Sequence, residues 1–129
     1  MSLRSPLGRV LGLGSAKGGS GHWYSQRVTA VALVVLGLWF VAALAMFGPG
    51  ASHAAVVHWL GSPFSAAMAV LLVVVGALHA QLGLQVVVED YVSDKGTRVV
   101  VLVAIKFALV LAALLGVLAV LRLAFGAQA

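Results

Sequence analysis

The chain has 129 residues, 63% of them hydrophobic and only 9% charged, with a net charge of +5 and a mean hydropathy of +1.15. A soluble domain carries about a quarter charged residues, so the composition excludes an ordinary water-borne enzyme and describes a protein solvated by lipid. With no cysteine, the chain by itself holds neither a disulfide nor an iron–sulfur cluster.

The N-terminal stretch "MSLRSPLGRVLGLGSAKGGSGH" is acid-free and rich in glycine. Arginine and serine without acids is also the composition of a mitochondrial transit peptide. The stretch lacks the G-x-x-x-x-G-K-[ST] spacing of a phosphate loop. Residues 1–27 are expected to form a basic arm at the inner membrane surface.

Three apolar segments follow, at about residues 28–47, 64–88 and 99–125. A bilayer core of about 30 Å takes about 20 helical residues, and a lone strand in lipid leaves its backbone polar groups unsatisfied. Valine-rich segments of this length are therefore expected to be transmembrane helices, and the fold class is an all-α membrane protein with three spans in one domain. Between the first two spans, "HAAVVHWLGSPF" is expected to form a short helix at the outer interface. Its Trp59, His53 and His58 suit that boundary, and the two histidines read as interfacial residues rather than ligands.

Orientation follows from the loops. Arg4, Arg9, Lys17 and Arg27 precede the first span, and Lys95 and Arg98 lie between the second and third. The segment from Gly48 to Pro63 and the tail after Phe125 carry no Lys or Arg. The positive-inside rule places the N-terminus inside and the C-terminus outside. Arg122 near the outer end runs against this charge pattern, but its stem can snorkel, as can that of Lys106 toward the inner surface.

The second span holds the chemistry. Gly76, His79 and Gly83 stand at i−3, i and i+4, one helical face, so an imidazole in the hydrocarbon is flanked by residues without side chains. Small residues of this kind also let another helix approach closely, and a histidine there also bridges helices by hydrogen bonding. Both readings stand on the pattern. The functional one is that ionisable groups inside a membrane mark sites and that haem iron accepts a neutral imidazole beside a flat slot. Asp90 follows eleven residues after His79, about 16 Å along the helix and on nearly the same face. Beside it stands Tyr91, a residue type common at interfaces. All three acids of the chain, Glu89, Asp90 and Asp94, fall within this short segment.

The stretches "HWYSQRVTAVAL" opening the first span and "HAQLGLQVVVEDYV" closing the second together resemble the smaller hydrophobic membrane-anchor subunit of succinate dehydrogenase (respiratory complex II). The matching residues are Arg27, Thr29 and Ala30, then His79, Ala80 and Gly83, then Asp90, Tyr91 and Val92, over about half the chain. The glycine-rich arm also looks like that of bacterial members, which implies the bacterial inner membrane rather than a cleaved transit peptide.

The resemblance implies that His79 is an axial ligand of a haem b, opposite a histidine of a cytochrome b-type partner anchor, with Gly76 and Gly83 forming the slot. It implies that Arg27 lies near the haem propionates, where a guanidinium suits a carboxylate. Tyr91 matches a hydrogen-bond donor to ubiquinone, and Asp90 is its neighbour. The implied partners are that anchor, an iron–sulfur subunit, a flavoprotein subunit, lipid and ubiquinone, with no nucleic acid. On this resemblance the chain is a non-catalytic anchor subunit of the enzyme complex. The alternatives are the anchor of another haem-containing quinone oxidoreductase, such as a fumarate reductase or formate dehydrogenase, and a small transporter or scaffold in which His79 only bridges helices.

Overall fold

The structure, a computed structural model, describes residues 19–126. It is all-helical, with no strand among the described residues: α1 (Gly19–Phe47), α2 (His53–Leu60), α3 (Pro63–Tyr91) and α4 (Lys95–Gly126). Three of these helices, α1, α3 and α4, are long and apolar enough to cross a membrane, as the apolar segments predict. The short helix expected between the first two spans is α2.

The helices outrun the hydrophobic segments that announce them. With 29 residues, α1 extends about 43 Å at 1.5 Å per residue, more than the hydrocarbon is thick. It begins at Gly19 rather than near Val28. Hydropathy reports only the part of a helix that lies in oil; once nucleated, the backbone bonds continue into the interface. The expected arm therefore joins the helix from Gly19 onward, and residues 1–18 of it lie outside the described residues.

The ends carry the capping chemistry that their sequences supply. Gly48 takes φ +67°, the left-handed conformation that glycine adopts at a helix C-terminus, and Pro49 behind it cannot continue the helix. Ser52 and Ser62 cap α2 and α3, each hydroxyl accepting a backbone N–H three residues on at 3.2 Å. Asp94 does the same for α4, accepting the Thr97 N–H at 2.7 Å. That bond from Thr97 holds the Asp94 carboxyl below its ordinary pKa, with the Arg98 charge as a smaller contribution. Arg98 reaches back across the turn, its Nε donating to the Val92 carbonyl at 2.9 Å. It thereby satisfies a carbonyl just past the end of α3 that no intrahelical donor reaches.

The spans stand in a row rather than a closed bundle. α3 packs against α1 on one side and α4 on the other, and no contact joins α1 to α4 among the described residues. α3 meets α4 closely: a Cβ on Gly116 would stand 2.9 Å from Cγ1 of Val73. At the end of the row near α2, Trp39 stacks on Trp59 with ring centroids 5.3 Å apart. Phe47 and Phe64 add edge contacts to these two tryptophans. This cluster ties α1, α2 and α3 together through pairs worth about 0.5–1.5 kcal/mol each beyond their buried area.

Little of the apolar surface is covered by the chain itself. Among the described residues the buried apolar ones are Leu36, Ala43, Leu60, Ala69, Val88 and Ala124. In the most apolar window of α4 none of the residues is buried. Contiguous apolar surface on this scale marks contact with a membrane or other chains.

Candidate functional site between α1 and α3

The polar residues of α1 and α3 meet at one place. His22, Gln26 and Thr29 recur at intervals of four and three along α1, which puts them on one face, and that face is turned to α3. Opposite them, His79 is half-buried. Its Nδ1 lies 2.9 Å from Thr29 Oγ1 and its Nε2 3.5 Å from Gln26 Nε2. The imidazole is thus held at both nitrogens by α1, firmly at Nδ1 and by a long contact at Nε2.

Beside this pair opens a cavity of about 370 Å3 lined by His22, Trp23, Gln26, Arg27, Gly83 and Val86. A Cβ at Gly83 would stand 3.6 Å from the Gln26 amide nitrogen, an ordinary contact. The Arg27 guanidinium lies over the Trp23 ring at 5.6 Å, within cation–π range. Among the described residues, two buried polar atoms have no hydrogen-bond partner, His22 Nε2 and Gln26 Oε1. A buried unpaired group of this kind costs about 1–3 kcal/mol, so both atoms favour a polar group arriving from outside the chain.

The residues singled out by sequence do not all come together. His79, Gly83 and Arg27 converge on the α1–α3 junction. Gly76 belongs to the same α3 face but opens on empty space, with no heavy atom within 4 Å of a Cβ there. Asp90 and Tyr91 stand three turns away at the end of α3, both exposed, Tyr91 by 86%. No side-chain hydrogen bond joins either to the rest of the described residues. His53 and His58 are exposed on α2, away from the junction. Lys106 lines a separate groove between α3 and α4 with Gln81 and Gln85.

Gln26 and His22 are the residues to which sequence reasoning assigns no role. Their spacing to Thr29 was the available signal. It is visible only once the helix is known to start at Gly19, because a span begun at Val28 leaves both outside it.

The donor set suits a haem iron on its chemistry. Among the described residues, no three His, Cys, Asp or Glu side chains gather to hold a metal ion directly, whereas an iron already carried by a porphyrin needs only one axial imidazole from each side. His79 offers such an imidazole with Nδ1 tied. The group that lies against Nε2 is the Gln26 side chain, whose flexible stem allows access by a rotamer change without moving either helix. Arg27 supplies a cation at the cavity, where carboxylates are accommodated.

Residues 1–115 match the protein family described as succinate dehydrogenase/fumarate reductase transmembrane subunit. The succinate dehydrogenase hydrophobic membrane anchor subunit of Rickettsia bellii is 35% identical over 104 residues, covering 80% of this chain and 82% of that protein. The subunit of the same name from Paracoccus denitrificans is 36% identical over 94 residues, or 73% and 71% of the two chains. That of Rickettsia conorii is 33% identical over 94 residues, or 72% and 74%.

Proposed function

The chain belongs to the succinate dehydrogenase/fumarate reductase transmembrane subunit family, and from that we propose that it anchors a succinate:ubiquinone oxidoreductase in a bacterial inner membrane, shares a haem b with a partner anchor and contributes to the ubiquinone site. The observation that carries this reading is the His79 imidazole fixed by Thr29 at the α1–α3 junction, 2.9 Å away, beside a cavity with Arg27 on its wall.

Each role follows from what a side chain can do. His79 would supply one imidazole to the haem iron, and a histidine of the partner anchor would supply the other. Arg27, with His22 beside it, offers positive charge and a donor to the propionates. Gly83 keeps the wall flat, and Gly76 does so on the part of the face that this chain leaves open. When bound, haem b supplies a one-electron relay through the membrane.

Tyr91 donates its phenolic hydrogen to a ubiquinone carbonyl. A donor aimed at an oxygen that gains negative charge in reduction lowers the barrier. Reduction consumes two protons, and Asp90, exposed at the same helix end, passes protons in from the inner surface. The flavoprotein and iron–sulfur subunits dock on the side bearing Lys95, Arg98 and the N-terminal basic residues, and electrons from succinate reach the quinone through them.

The test is the visible spectrum of the assembled complex. His79→Leu is expected to abolish the low-spin haem b signal or convert it to a five-coordinate one, while His53→Leu and His58→Leu leave it unchanged. A bis-imidazole spectrum in the His79 variant equal to wild type removes His79 from the haem and leaves it a bridge between helices.

A further inference from the structure

We propose that Thr29 is the positioning residue for the His79 ligand: its hydroxyl oxygen accepts the His79 Nδ1–H, which orients the ring and leaves the Nε2 lone pair for iron. This rests on the reading of His79 as haem ligand and adds to it which nitrogen binds and what sets it.

The direction of the bond comes from counting hydrogens. Thr29 Oγ1 lies 2.8 Å from the Ser25 carbonyl and 3.2 Å from that of Gln26. A threonine hydroxyl has one hydrogen, and in a helix it characteristically bonds back to a carbonyl in the preceding turn. With that hydrogen directed at Ser25, Oγ1 meets His79 Nδ1 at 2.9 Å only as an acceptor. Nδ1 therefore carries the imidazole proton and Nε2 does not.

The other side of the ring agrees. The group against Nε2 is the Gln26 amide nitrogen, at 3.5 Å. An amide N–H is a donor and needs a lone pair in front of it. The two neighbours, one on each ring nitrogen, thus select the same tautomer. Reversing it would set two lone pairs facing at Nδ1 and two hydrogens facing at Nε2.

An acceptor on the far nitrogen of a ligating histidine fixes the ring and raises its basicity. A more basic imidazole favours ferric over ferrous iron, so Thr29 holds the haem potential down as well as holding the ring still. β-Branching suits the task, since few χ1 rotamers are open to threonine in a helix and the Ser25 bond selects among them.

The experiment compares Thr29→Val, Thr29→Ser and His79→Leu in the whole membrane complex, reading haem content, low-spin spectrum and haem midpoint potential. Thr29→Val keeps the shape and deletes the acceptor. It is expected to weaken haem retention by about 10- to 100-fold and to raise the potential. Each tenfold loss of ferric preference corresponds to about 59 mV for one electron. Thr29→Ser restores the acceptor and is expected to return both quantities toward wild type.

A threonine that merely joins two helices would lower complex stability in Thr29→Val while leaving the spectrum and the potential of the remaining haem unmoved, and that result overturns the proposal. So does a Thr29→Ser potential displaced as far as that of Thr29→Val. If Thr29→Val does not assemble, Thr29→Ala is read by the same criteria. Loss of assembly in both, with rescue by serine, assigns the hydroxyl to helix joining and also overturns it. A His79→Leu complex that keeps its bis-imidazole spectrum brings down the underlying reading instead, so the two failures are distinguishable.

Discussion

At the scale of single residues, Tyr91 and His79 sit on one helix in opposite circumstances. His79 is held by α1 at both nitrogens, whereas Tyr91 is 86% exposed and its phenol makes no hydrogen bond among the described residues. On the proposed reading, the phenol donates to a quinone at this end of α3. Tyr91→Phe keeps the ring and removes one hydrogen bond. A buried acceptor left unpaired costs about 1–3 kcal/mol, and a donor aimed at developing charge is worth up to about 4 kcal/mol. Quinone reductase activity of the complex is therefore expected to fall by roughly ten- to several-hundred-fold. Haem content, and succinate oxidation with an acceptor that draws on the soluble subunits, are expected to hold. Equal quinone turnover in variant and wild type at matched complex levels would return Tyr91 to the aromatic belt.

At the scale of helices, the α3–α4 contact is set by the absence of one methyl group. A Cβ at Gly116 stands 2.9 Å from Val73 Cγ1 and 3.5 Å from Cγ2. Valine in a helix is nearly confined to one χ1 rotamer, so the neighbour yields only if the helices separate. Gly116→Ala gains up to about 1 kcal/mol of helix propensity against an overpacking cost of about 1–3 kcal/mol. Gly116→Leu leaves no such balance and is expected to destabilise the α3–α4 pair. Thermal unfolding in detergent gives the measurement. Adding Val73→Ala to Gly116→Ala is expected to recover stability beyond the sum of the single changes, the signature of a direct contact. Strict additivity would mean that the helices do not meet there. Gly37 and Gly76 form the contrast, with no heavy atom within 4 Å of a Cβ, so within this chain neither space is required by packing.

At the scale of the molecule, an open row of three apolar helices with six buried apolar residues among those described shows, over those residues, no core comparable to that of a soluble domain. It is an integral membrane protein, with three helices long and apolar enough to cross a bilayer. The orientation we propose rests on charge: in sequence six basic residues precede the first span or lie between the second and third, whereas the segment from Gly48 to Pro63 and the stretch after Phe125 carry no Lys or Arg. A reporter fused after Ala129 is expected to be active only outside, and one inserted near Lys95 only inside. The reverse result would invert the chain and move Asp90 and Tyr91 to the outer face with it.

Much of this was legible along the chain because bilayer thickness and helix rise are fixed lengths. Apolar segments of sufficient extent fix the number of spans. Membership of the family was legible too, since "HAQLGLQVVVEDYV" carries His79, Asp90 and Tyr91 at a spacing that one helix preserves. What periodicity could not give was the neighbour across a helix interface. Thr29, fifty residues from His79 in sequence, is one member of a matching stretch and has no visible partner until α3 is laid between α1 and α4. The start of α1 was hidden for a related reason, because hydropathy falls where lipid ends while the helix goes on, and with it went the face shared by His22, Gln26 and Thr29. Sequence alone thus determined the number of spans and the polar residues they carry. The tertiary structure decided which of those residues face one another, because side-chain contact between helices depends on their rotation and separation, which no local pattern encodes.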